Sequence, residues 1–181
     1  MHPYLRKELP QVELTPQFCH DVSEFAVNNS IFDDVIFGTV LGSFLYGTAH
    51  EGSDVDLFLV RETGRNKSSV VDNVDVQVLN LETFIRLLST GCHQAVEAFY
   101  SPYKVFTDSP YVCFIKAQRP SPYNFIKKAQ SAAKSLRGRS TPKGSLHARR
   151  LEYAADQTIE GNYTPIYKNL TEQTRLTTMN I

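Results

Sequence analysis

The chain has 181 residues, its 19 lysines and arginines are balanced by 19 aspartates and glutamates, and 41% of it is hydrophobic. That size suits one domain, or a catalytic core with a helical appendage, and no stretch approaches the ~20 apolar residues of a membrane span. Met1 to Pro10 lacks a signal-peptide core, and Cys19, Cys92 and Cys113 form neither an even framework nor a Cys-x-x-Cys, so a soluble protein of a reducing, cytoplasmic compartment is expected.

In chain order, Thr15-Pro16 predicts the cap and first turn of a helix running to about Asn28, with Phe18, Val22, Phe25 and Ala26 on one stripe. Asp34 to Leu41 is a β-branched and aromatic run that reads as the first strand, closed by Gly42-Ser43 and a short helix or loop. Strands near Val55 to Arg61 and Val74 to Leu79 follow, separated by the polar loop Glu62 to Ser69, and the alternation of the second reaches back to Val70. Asn80 caps a helix that Gly91 ends, with Leu81, Phe84 and Leu88 inward. Tyr103 to Phe106 reads as a further strand. Ser121-Pro122 begins a helix that buries Phe125, Ile126, Ala129, Ala133 and Leu136. Arg137 to Gly144 is the best linker candidate, Ser145 caps the next helix, Gly161 ends it, and Thr164-Pro165 begins a last one.

The chemistry concentrates between Gly42 and Leu57. Alternate residues of a strand share a face, so Asp54 and Asp56 aim two carboxylates one way while Val55 and Leu57 face the core. By the same alternation Asp75 and Gln77 lie opposite Val74, Val76 and Val78, which makes Asp75 a third ligand and general base. Two ionised carboxylates ~4 Å apart repel by about 4 kcal/mol at an effective dielectric of about 20, so such a cluster calls for a cation. Magnesium fits, because it takes one or two carboxylates and completes its shell with water and phosphate oxygens. Gly42 leaves room for a phosphate to approach the backbone, and Ser43 offers an N–H and a hydroxyl. A lone Asp-x-Asp is as well explained by solvent-facing strand residues; the preceding Gly-Ser, the following strand and the later Asp75 together favour a metal and nucleotide site. Tyr46 reads either as a core ring or as a contact to base or ribose. Cys19-His20 and Cys92-His93, as mere sequence neighbours, do not make a zinc site.

Gly42, Ser43, Tyr46, Gly47, Ala49, Ser53, Asp54 and Asp56, with Asp75 downstream, resemble the active-site pattern of the DNA polymerase β nucleotidyltransferase superfamily. More narrowly they resemble the predicted nucleotidyltransferases typified by the RNA-repair-pathway-associated enzyme. The likeness continues through Phe84 to Leu88, Val96 to Pro102, and a Lys-x-x-x-His-x-x-Arg pattern at Lys143, His147 and Arg150. Where the group commonly follows its second Asp with Arg-Gly, this chain has Leu57-Phe58-Leu59-Val60 and reaches Arg61 only afterwards. The resemblance implies an α+β fold: a small mixed β-sheet core over residues 1–120 and a basic helical region over 121–181. It implies transfer of a nucleoside monophosphate from an NTP to a hydroxyl acceptor such as RNA or another nucleic acid. Two Mg2+ ions, replaceable by Mn2+, would be held by Asp54, Asp56 and Asp75. Nucleotide contacts would come from Gly42, Ser43, Tyr46, Ser53, Lys143, His147 and Arg150.

Between Asp108 and Glu152 there is no acidic residue, whereas Lys116, Arg119, Lys127, Lys128, Lys134, Arg137, Arg139, Lys143, Arg149 and Arg150 fall in that span. A solvated helical face accounts for such a run on its own; beside a triphosphate motif it also suits a polyphosphate or nucleic acid. Lys143, His147 and Arg150 share one face if their helix reaches back to Lys143, and form a capped row without Lys143 if it begins at Gly144-Ser145. Two further functions fit the same residues: a non-catalytic nucleotide or nucleic-acid binding regulator, and a toxin-like enzyme that modifies tRNA or a protein hydroxyl.

Overall fold

The structure is a computed structural model and describes residues 15–161 apart from 31, 51, 72 and 140. The expected leaderless start and the helix at Thr164-Pro165 lie outside the described residues. Residues 15–85 and 101–118 form one compact unit, and residues 86–100 and 119–161 form a second. This division differs from a boundary at 120, because residues 86–100 group with the later helices.

The first unit is built on a mixed sheet of five strands in the order β3-β4-β2-β1-β5, made of β1 (Val35–Leu41), β2 (Val55–Arg61), β3 (Lys67–Val71), β4 (Val74–Asn80) and β5 (Val105–Phe106). β2 runs antiparallel to β1 and parallel to β4. The helix α1 (Pro16–Asn28) covers one face. Thr15 caps it by accepting from the Phe18 N–H at 3.2 Å, and its Phe18, Val22 and Ala26 pack with Val40, Leu57, Leu59, Val76 and Val78. On the other face, Phe84 of α3 (Leu81–Ser89) stands edge-on to Phe37 and Phe58. β1 is therefore buried along its whole length, which is why its sequence runs apolar without alternation.

Two elements depart from the sequence expectation. Lys67 to Val71, expected partly as loop and partly as the start of the next strand, is the separate edge strand β3, paired antiparallel with β4 so that Val71 stands opposite Val74. In sequence, Asp72-Asn73 lies between Val70-Val71 and the alternating Val74, Val76 and Val78. A short helix α5 (Tyr111–Lys116) also forms, burying Ile115.

The second unit holds the end of α3, α4 (His93–Tyr100), α6 (Pro122–Arg137) and α7 (Pro142–Ile159). Ser121 caps α6 as expected, accepting from the Asn124 N–H at 3.3 Å. The start of α7 is earlier than expected: Thr141, not Ser145, is the cap, accepting from the Gly144 N–H at 3.0 Å, with Pro142 in the first turn. Thr-Pro outcompetes Gly-Ser because the hydroxyl satisfies an orphan N–H and proline presets the helical φ. Gly91 does more than end α3: at φ 73°, a Cβ there would run into the Asn124–Phe125 backbone where α6 begins.

Candidate active site

The site residues of the first unit gather at one end of the sheet. β1 leads into the single turn α2 (Gly42–Leu45), where the Ser43 carbonyl accepts the Thr48 N–H at 2.9 Å. Gly42 has φ 64°, a conformation that costs any L side chain free energy. A Cβ there would overlap Asp56 Oδ2 and lie 2.8 Å from its Cγ, so glycine at this position leaves room for the Asp56 carboxylate itself.

Asp56 is the second residue of β2 and stands in register with Leu41 on one side and Asp75 on the other. In-register neighbours of paired strands project to the same face, so the carboxylates of Asp56 and Asp75 emerge side by side, on strands spaced about 4.8 Å apart. Asp56 is half-buried, whereas Asp75 and Asp54 are exposed. Asp54 lies two residues before Asp56, just ahead of β2. The start of β2 is tied to β4 by the Val55 N–H, which donates to the Asn73 carbonyl at 2.8 Å. Among the described residues, no group of three or more His, Cys, Asp or Glu side chains stands at metal-holding spacing. The in-register Asp56–Asp75 pair is nonetheless of the kind a hard divalent cation takes, since magnesium needs only one or two carboxylates and completes its shell with water and phosphate oxygens.

Among the other candidates of this unit, Ser53 and Tyr46 have local structural roles. Ser53 closes the loop ahead of Asp54: its Oγ accepts the His50 N–H at 2.9 Å and its own N–H donates to the His50 carbonyl at 2.9 Å. Ser43 is partly exposed. Tyr46 is only 3% exposed, so its ring is core packing rather than a platform for a base. Arg61 sits about 16 Å along β2 from Asp56. There its guanidinium pairs with Asp34 at 3.0 Å and covers the Phe32 ring at 4.1 Å. Burial works to raise the Asp34 carboxyl, but the Thr63 N–H and the Arg61 guanidinium outweigh it and hold it below its ordinary range. Cys19 is buried in the core, and burial pushes its thiol up to about 11.

Lys143, His147 and Arg150 belong to the second unit. With α7 starting at Pro142, their spacing places them on one helix face. Arg150 reaches α4, where its Nη2 lies 3.7 Å from Oε1 of Glu97, and both side chains are largely buried. His93, one helical turn before Glu97, is drawn below its ordinary pKa by burial; Glu97 opposes that shift and Arg150 adds to it. His147 is lowered by burial and then by the charges of Arg150 and Lys143. Glu97 and His93 were not singled out as site residues from the sequence. The signal for Glu97 was present, since an acid inside Ala95-Val96-Glu97-Ala98 on a buried helix face must find a cation.

Residues 28–106 match the family model described as a nucleotidyltransferase domain. The matched segment contains all five strands and the three acids, so the likeness to nucleotidyltransferase domains covers the whole sheet. No curated protein matches the chain.

Proposed function

We propose that the protein transfers a nucleoside monophosphate from an NTP to a hydroxyl acceptor, with RNA or another nucleic acid as acceptor, using Asp54, Asp56 and Asp75. The reading is carried by the register that sets Asp56 beside Asp75, with Gly42 making room for the Asp56 carboxylate. The three carboxylates would hold magnesium, which when bound neutralises the triphosphate and lowers the pKa of the attacking hydroxyl. The Asp75 carboxylate, exposed at the sheet end, accepts the proton of the acceptor hydroxyl. The acceptor oxygen then bonds to the α-phosphorus as the bond to the β-phosphate oxygen breaks, and pyrophosphate leaves. The Ser43 N–H and hydroxyl, next to Gly42, supply phosphate contacts. Lys143 and His147 supply donors for an anion on the second unit, whereas Arg150 is engaged with Glu97.

The test is incubation with each α-labelled NTP, magnesium and a cell extract, followed by identification of the labelled macromolecule. Label transfer that Asp56→Asn abolishes while the thermal midpoint is kept supports the reading. Transfer at an undiminished rate by Asp56→Asn, or none with any NTP, overturns it.

A further inference from the structure

The helix α6 buries Phe125, Ala129 and Ala133. At 100° per residue the opposite side carries Tyr123, Lys127, Gln130 and Lys134, all exposed, and Tyr123 keeps 72% of its surface open. Exposed helices of ordinary proteins mix charges of both signs, but α6 has no acidic residue. Arg137 at its end is matched by Glu152 of α7, so the surplus positive charge on this face resides on Lys127 and Lys134, with Lys128 beside them and Arg139 just beyond the helix.

A large exposed aromatic in line with uncompensated lysines is the pairing that holds single-stranded nucleic acid, where rings stack on bases and cations follow the backbone. The stripe from Tyr123 to Lys134 spans about 16 Å of helix, enough for a few nucleotides. An anionic membrane would require an apolar face turned outward, and the apolar face of α6 is buried. We propose that the outer face of α6 is a docking surface for a single-stranded polynucleotide. The bound strand would be the acceptor class of the proposed transfer, and that part rests on the reading above; the binding itself needs no turnover.

The test is fluorescence anisotropy of the full chain with labelled oligouridylate and oligodeoxythymidylate across a salt series, with anionic phospholipid vesicles as competitor. Tyr123→Ala is expected to weaken binding about tenfold with the salt slope unchanged. Lys127→Ala combined with Lys134→Ala is expected to lower the slope by about one to two. All three positions are exposed, so the thermal midpoints should match that of the parent chain. Undiminished affinity and slope in these variants would overturn the surface, as would displacement of the oligonucleotide by vesicles at lower concentration. Binding with these signatures, without label transfer from any NTP, would support the surface and overturn the transfer reading. Label transfer at full efficiency to an oligonucleotide by all the variants would do the reverse.

Discussion

The α-carbon of Gly42 lies against the carboxylate of Asp56, so the turn that ends β1 and the acid at the second position of β2 are built around each other. A side chain at Gly42 must push that carboxylate away as well as adopt φ 64°.

Gly42→Ala should therefore cost about 1 to 2 kcal/mol of stability and lower nucleotidyl transfer far more than Ser43→Ala, which removes one hydroxyl and keeps the backbone donor. Thermal melts beside initial rates of label transfer separate the two effects. Equal loss in both variants would mean that Asp56 is not held by this turn.

Removing Arg150 leaves the Glu97 carboxylate buried on α4 without its guanidinium, so Arg150→Ala should destabilise the protein by about 3 kcal/mol. Replacing both members, as in Glu97→Leu with Arg150→Met, should cost much less than the sum of the single changes. Urea unfolding of the four proteins checks this, and additive losses would show that the pair does not interact.

The two histidines near that pair set a pH dependence. His93 and His147 both have folded pKa values below the ordinary 6.5, first because of burial. Above that value both are neutral whether the chain is folded or not, and they contribute no pH dependence. As the pH falls below about 6.5 the unfolded chain takes up protons that the folded chain resists, so stability falls with pH. Denaturation midpoints between pH 7.5 and 5 should decline, and His93→Asn should flatten the decline. A midpoint that rises toward pH 5 would contradict the assignment.

Arg61 holds Asp34 and covers Phe32 at the opposite end of β2 from the acids. Arg61→Ala should lose about 1 to 2 kcal/mol of stability, the worth of charge-assisted hydrogen bonds, and should leave the rate of label transfer near that of the parent. A large rate loss with unchanged folding would place Arg61 in the reaction.

Local chemistry made much of this protein legible from sequence. Thr15-Pro16, Asn80 and Ser121-Pro122 are caps whose side chains satisfy nearby N–H groups, and the structure places α1, α3 and α6 at those signals. The strand alternation around Asp56 and Asp75 is equally local, because side-chain direction follows from a period of two. The partner of each acid was not local. Asp75 stands beside Asp56 because β3 turns back on β4 and β4 joins β2 in parallel register, a pairing set by burial of Val74, Val76 and Val78 under α1. The same holds for Gly42, whose spacing suggested room for a phosphate but whose missing Cβ makes room for an aspartate 14 residues later. The choice between a helix starting at Thr141 or at Ser145 turned on two competing local caps. The Glu97–Arg150 pair required two helices distant in sequence to pack, and a buried acid says that it needs a cation without saying which one.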